Sequence, residues 1–251
     1  MGGNVRGRNG PWRYLAVGLL TLLLSPSLAV IANPGQFEDA SAAYERGDFA
    51  TAFRLVKPLA EQGNAKAQYN LGVMYHNGEG VPQDYTEAMK WYQRAAELEL
   101  ADAHYNLGVL YHKGEGVPQD YTEAVKWFRK AAELGNAKAQ YNLGVMYRKG
   151  EGVPQDNTET MKWYRKAAEL GHPDAQYFLG VVYGKGEGVP QDSIQAYMWL
   201  SLAASRFSAS EVGKREMVVI NRGIISSTMT PDQIAEAQRL AREWKPKVEV
   251  K

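Results

Sequence analysis

Residues 68–92 read QYNLGVMYHNGEGVPQDYTEAMKWY. The segment returns as HYNLGVLYHKGEGVPQDYTEAVKWF from His104, QYNLGVMYRKGEGVPQDNTETMKWY from Gln140 and QYFLGVVYGKGEGVPQDSIQAYMWL from Gln176, always at a step of 36 residues. A fixed period of this length marks stacked repeats, each a unit that cannot bury its apolar face alone. Within each copy the pattern reads as two helices. Ala67, Leu71 and Tyr75 stand at i, i+4 and i+8, one stripe of a first helix. Gly72 beside that stripe costs helix propensity, so a neighbouring backbone is expected to approach it closely. Gly78 suits a left-handed helix stop, and Gly80 and Pro82 keep the loop non-helical. Asp84 offers an N-cap with Glu87 three residues on, a capping-box spacing repeated at Asp120/Glu123, Asp156/Glu159 and Asp192/Gln195. Ala88, Trp91, Tyr92, Ala95 and Ala96 then share one face of a second helix. The same phase places Tyr75 and Trp91 in the core, and Trp127 mostly buried beside Ala124 and Ala131.

The array has edges and irregularities. Gly63, Gly135 and Gly171 close second helices, but Glu99-Leu100 occupies the equivalent junction. A glutamate in a left-handed turn costs about 1–2 kcal/mol, so the helix is expected to end differently there. Thr160 replaces the alanine of Ala88, Ala124 and Ala196. Upstream, Ala42, Tyr44, Gly47, Asp48, Ala52 and Phe53 look like a degenerate pair over 37–63, with helices near 37–46 and 48–62. Downstream, Ser208 and Glu211 have capping-box spacing for a helix running to about 227, and Thr230-Pro231 opens a last helix. Segment 207–244 is thus a C-terminal cap, and 245–251 a polar tail.

The first thirty residues have another character. Arg6, Arg8 and Arg13 precede the apolar run Leu15–Leu24, which Pro26 ends. This is the layout of a secretory signal, with cleavage expected after Ala29 or Ala32. The run is about ten residues, where a membrane span needs about 20. Removing residues 1–29 takes away three arginines and no acid.

The whole chain of 251 residues carries 29 basic and 28 acidic side chains and no cysteine. That balance argues against a nucleic-acid binder. The missing thiols exclude disulfides, thiolate-held zinc and cysteine nucleophiles.

The pattern Ala67…Leu71-Gly72…Tyr75…Gly78-Glu79-Gly80-Val81-Pro82…Asp84…Ala88…Trp91…Ala95-Ala96 resembles the Sel1-like repeat family, relatives of tetratricopeptide repeats with a longer loop between the two helices. It spans four repeats over residues 64–206. The resemblance implies an all-α, right-handed superhelical solenoid of about six helix pairs that binds other proteins. Family members in bacterial envelopes act as adaptors in signalling or export. A cysteine-rich branch is linked to β-lactam binding or hydrolysis, which this cysteine-free chain does not inherit.

Little in the sequence suggests chemistry. His76, His104, His112 and His172 are too far apart in the repeat to share a metal and read as surface or capping residues. The Gly78-Glu79-Gly80 loop lacks the Lys-Ser/Thr of a phosphate cradle. Glu79, Glu115, Glu151 and Glu187 recur at whole repeats, as a solvated loop would. No cofactor is expected.

What remains is a surface. Positions 66, 70, 73 and 77 cluster away from the buried stripe, and in related repeats the first helices line the concave side. Asn70, Asn106 and Asn142 would form a row ended by Phe178, flanked by Lys66, Lys138, Asn77, Lys113, Lys149 and Lys185. Asparagine amides can donate to and accept from an extended peptide, and the lysines can meet acids. The opposing reading has the asparagines bonding neighbouring helices and the lysines merely solvated. The expected function is a non-catalytic, periplasmic or secreted scaffold binding another protein or peptide, such as an envelope signalling or export component. It would meet no nucleic acid, and the membrane only through its signal during export. The alternative is an envelope hydrolase or cell-wall glycan binder, which would need a convergent nucleophile–base set or exposed aromatics.

Overall fold

A computed structural model describes residues 35–247, so the signal segment and its cleavage sites lie outside the described residues. Every described element is helical. The pairs are α1 (Gln36–Glu45) with α2 (Phe49–Glu61), α3 (Ala65–Asn77) with α4 (Tyr85–Glu97), α5 (Ala101–Lys113) with α6 (Tyr121–Glu133), α7 (Ala137–Lys149) with α8 (Asn157–Glu169), and α9 (Pro173–Lys185) with α10 (Ser193–Arg206). Then follow α11 (Val212–Ser226) and α12 (Pro231–Glu243). Each pair packs most heavily on itself and next on its sequence neighbours, the connectivity of a solenoid.

The local chemistry of each repeat does what its residues imply. Gly78 takes φ 75° at the end of α3, and Asp84 accepts from the Thr86 and Glu87 N–H groups at the start of α4. Between them Gln83 Nε2 donates to the His76 carbonyl at 2.7 Å, and the Asp84 N–H donates to Tyr75 O at 2.9 Å, cinching the loop. The capping boxes form only by half. Glu87, Glu123 and Glu159 turn outward to Lys90, Lys126 and Lys162, and both halves close only at Thr230/Gln233 in α12. The Ser208–Glu211 box does not open α11. Glu211 accepts from the Ser208 N–H at 3.0 Å, but the helix begins a residue later at Val212, without a side-chain cap.

Contacts between repeats hold the array together. Gln68, Gln140 and Gln176 are buried, and each donates to the carbonyl eight residues earlier (Ala60, Ala132 and Ala168) at 3.0–3.2 Å. This staples the start of each first helix to the end of the preceding second helix. His104 takes the same place and is buried, not a surface histidine.

Gly72 does meet a close neighbour, but a side chain more than a backbone. A Cβ there would stand 2.6 Å from the Tyr92 ring, while the Ala88 carbonyl is 3.3 Å away. Gly108, Gly144 and Gly180 make the same notch for Phe128, Tyr164 and Leu200. The loops dock too. A Cβ on Gly80 or Gly152 would run into the Phe49 or Tyr121 carbonyl of the preceding second helix, and one on Gly116 would come within 2.7 Å of Tyr85 Cβ.

Two further expectations are corrected. Glu99 does adopt the left-handed turn, with φ 56°. The stacked helices fix the junction against the residue's own preference. Trp127 is half-buried, whereas Trp91, Trp163 and Trp199 are buried. Trp127 stacks on His104 at 5.6 Å beneath Lys130, and those two side chains border a surface hollow of about 390 Å³.

Candidate partner-binding surface

The asparagine row lies half-buried between successive first helices. The Asn106 amide is directed at the Tyr69 and Tyr92 hydroxyls, and Asn142 at Tyr105, each favouring the ionised phenol against a burial that raises its pKa. Asn70 lines a cavity of about 320 Å³ between α1, α2 and α3, with Tyr44 and Tyr69. Asn77 lies beside Tyr44, whose hydroxyl donates to Glu79 at 2.7 Å and whose pKa is pushed up to about 12, chiefly by burial. Two of the three row amides thus already serve tyrosines of the preceding repeat.

The flanking lysines are partly engaged. Lys113, Lys149 and Lys185 pair with Glu115, Glu151 and Glu187, two residues on, at 3.4, 3.3 and 3.4 Å. Lys66 is exposed, and exposed Lys138 sits 6.0 Å from the Tyr105 ring. Such exposed pairs contribute well under about 1 kcal/mol each, so an acidic partner can displace them.

Glu115 and Glu151 are not solvated loop residues. Each also reaches back to the preceding repeat, to His76 at 3.9 Å and His112 at 3.7 Å, and is three-quarters covered. Glu115 lies against His76, whose pKa burial lowers.

That interlock fails at the fourth repeat. Arg148 stands where His76 and His112 stand, Asn157 where Tyr85 and Tyr121 stand, and Phe178 where the asparagines stand. A Cβ on Gly188 would have nothing within 4 Å, so this loop is not seated on α8 as its three predecessors are seated. Glu187 is 63% exposed against about 25% for Glu115 and Glu151. The result is an open groove of about 740 Å³ between α8 and α9, with Arg148, Lys162, Arg165 and Glu187 among its walls. Phe178 packs 4.2 Å from Tyr164 in its floor. Arg148 has no carboxylate partner among the described residues and lies close enough to Tyr141 and Tyr164 to favour their ionised forms. Lys162 pairs with Glu159 at 2.7 Å, and Arg165 donates to the Tyr183 hydroxyl at 3.3 Å.

Thr160 also lines this groove. Its hydroxyl donates to the Asp156 carbonyl at 2.7 Å, satisfied within its own helix. His172 is the N-cap residue of α9 but makes no side-chain cap bond. It stacks on Tyr141 at 4.5 Å, and burial lowers its pKa to about 4. Among the described residues no three His, Asp or Glu side chains converge as a metal site would require. Of the described tyrosines, tryptophans and phenylalanines, only Tyr44 reaches 36% exposure, which gives stacking on a glycan little to work with.

The Sel1 repeat family model matches residues 65–100, 101–136, 137–172 and 173–206, more than half of the chain. The chain belongs to the Sel1 repeat family, whose repeats generally serve as protein-interaction scaffolds. It is similar in structure to a Sel1 repeat protein from Oxalobacter formigenes, at 32% identity and TM-score 0.69 over 86% of this chain and 89% of that one. It is also similar to c5321, a protective antigen of uropathogenic Escherichia coli with an SLR fold, at 30% identity and TM-score 0.53 over 86% of this chain and 54% of that one. Among curated proteins it matches the chitin synthase regulator SKT5 of Malassezia restricta at 51% identity over 43 residues, 17% of this chain. It matches DAP3-binding cell death enhancer 1 of Rattus norvegicus at 40% identity over 43 residues. The chain spans 3% and 8% of the lengths of those two proteins.

Proposed function

We propose that the chain is an exported, non-catalytic adaptor that binds an extended acidic segment of another protein along its first-helix face. The groove between the third and fourth repeats is the anchor. The observation that carries this reading is the coincidence of Arg148, Asn157 and Phe178 at one junction, where the loop is unseated and Arg148 and Arg165 have no carboxylate partner among the described residues. Asn70, Asn106 and Asn142 extend the track toward the N-terminal cap, with Lys66, Lys113, Lys138, Lys149 and Lys185 along it. Charge complementarity of this kind steers encounter and fixes register. The periplasm or the exterior is the place of action, supported by the arginine-then-apolar layout of residues 6–24.

The test is a photo-crosslinking residue at position 178 in cells, followed by affinity measurements on the purified captured protein. Arg148→Glu with Lys162→Glu should weaken binding about tenfold or more, and binding should weaken with salt. The triple change Asn70→Ala/Asn106→Ala/Asn142→Ala should also weaken it more than tenfold, since each amide bond contributes about 0.5–1.5 kcal/mol. Unchanged affinity in the charge-reversed variant removes the groove from the reading. Lost stability with unchanged affinity in the triple variant makes the asparagines inter-repeat ties only. Mass spectrometry of the envelope form should find a terminus at Val30 or Asn33, and an intact Met1 or Gly2 there counts against cleavage.

A further inference from the structure

The helix α11 is a first helix without its partner. Val218, Asn221, Gly223 and Ile225 repeat the spacing of Ala103, Asn106, Gly108 and Leu110. Val218 and Asn221 do the same work as Ala103 and Asn106. Val218 is buried against Leu200 and Ala203 of the preceding second helix, as Ala103 is against Ala95 and Ala96. Asn221 Nδ2 donates to the Tyr177 hydroxyl at 3.1 Å, as Asn106 serves Tyr69.

The difference lies at the glycine. In α3, α5, α7 and α9 that notch holds a Tyr, Phe, Tyr or Leu from the repeat's own second helix, but a Cβ on Gly223 would have nothing within 4 Å. Around the empty notch Val219, Ile220 and Ile224 are 55%, 62% and 60% exposed. The next helix in the chain does not cover them. It packs instead on α10, with Leu240 and Trp244 against the cluster of Met198, Trp199 and Leu202. A terminal repeat ordinarily turns a polar face outward, and this one turns an apolar face.

We infer that this face receives an amphipathic helix from a partner protein, which completes a sixth helical pair. The chemistry of the occupant follows from the four filled notches. It carries a Tyr, Phe or Leu to enter beside Gly223, with alanines three to four residues away to let the backbones approach. The described helices of a second copy of this chain offer no such helix. Its second helices already fill their own notches, and another α11 would present β-branched Val219, Ile220 and Ile224. The surface is distinct from the groove at Arg148, so each can fail alone.

The experiment uses the protein as the host processes it and a labelled synthetic peptide of residues 120–134, DYTEAVKWFRKAAEL, as a stand-in for the missing helix. Saturable binding with a gain of helical circular dichroism is expected. Gly223→Leu in the protein, or Phe128→Ala in the peptide, should weaken binding at least about tenfold, and Ile224→Lys should do the same. Gly223→Leu points into open space, so its melting curve should stay at or above that of the parent. Arg148→Glu should leave peptide binding unchanged. No saturation up to about 1 mM peptide, or binding indifferent to Gly223→Leu and Ile224→Lys, overturns the inference. So does a dimer in light scattering that Ile220→Lys disperses, because a second copy would then hold the face.

Discussion

The junction after α4 gives the sharpest stability prediction. Glu99 is the only described non-glycine residue at positive φ, at 56°, where Gly63, Gly135 and Gly171 sit at 92°, 83° and 92°. The turn also loses its cap. Leu100 precedes α5 with no side-chain bond, whereas Asn64 and Asn136 accept from the Ala67 and Ala139 N–H groups at 3.0 and 2.9 Å. The closing bond from Leu100 N–H to Ala95 O is 3.3 Å, against 2.9–3.1 Å at the three sister junctions. A left-handed side chain costs about 1–2 kcal/mol. Glycine gives back about 0.4–1 kcal/mol by freeing the unfolded chain. Glu99→Gly should therefore stabilise by about 0.5–1 kcal/mol. Leu100→Asn gains a cap bond of about 1 kcal/mol but loses about as much half-buried leucine surface, so it should be near neutral. The mirror change Gly135→Glu should cost about what Glu99→Gly returns. Urea denaturation followed by tryptophan fluorescence reads all three. If Glu99→Gly is neutral while Gly135→Glu is costly, Glu99 is making a compensating interaction, and the argument from backbone strain fails.

The other predictions concern the core and pH. Trp163→Ala should cost about 3–5 kcal/mol, and half-buried Trp127→Ala distinctly less, about 2 kcal/mol; denaturation curves that reverse this order would refute the core assignment. For His172 the folded pKa of about 4 lies below the ordinary 6.5, so the unfolded chain binds the extra proton between those values. Stability should be full above pH 6.5 and fall as pH drops toward 4, by on the order of 2–3 kcal/mol. His172→Asn should flatten that slope and restore the cap bond made by Asn64 and Asn136, which a pH series of melting curves would show. Gly152→Ala should be destabilising because its Cβ would meet the Tyr121 carbonyl, whereas Gly188→Ala should cost less for want of a neighbour, with both paying for positive φ.

Helix phase, loop and caps were legible because they rest on chemistry within one repeat. Gly78, Pro82 and Asp84 act on neighbours a few residues away, and four copies repeat the statement. Contacts between repeats were not legible, since they depend on how the stack turns. Nothing local marks Gln68 as the donor to Ala60, or Glu115 as the partner of His76. Glu99 is opaque for the same reason: its own conformational preference points one way and the packing that overrides it is not local. In the candidate site the lysines are visible in the sequence, but their pairing with glutamates two residues on depends on how the loop folds back. Arg148 was visible too, as the one arginine in a histidine's place, but its consequence needed the unseated loop.

A repeat array sorts its own residues by agreement. Where the copies agree, stacking mostly uses the side chain: three of the four tryptophans are buried, the glycine notches are filled, and the glutamine that three copies share staples each to the helix before it. A departure from the pattern either repairs packing or is released from it. Thr160 repairs, because its hydroxyl is satisfied inside α8. Arg148 and Asn157 are released, and with them the Gly188 loop, whose own sequence is unchanged, gives up the interlock that Glu115 and Glu151 keep. The exposed stripe of α11 is released in the same sense, keeping the inward half of a first helix while its outward half stays bare. Both releases lie in the C-terminal half of the array, from the third repeat onward. Binding determinants should therefore concentrate there, and exchanging α3–α4 for a second copy of α5–α6, which keeps the asparagine and loses only Lys66 from the track, should weaken partner affinity far less than exchanging α9–α10 for the same pair, which should abolish it.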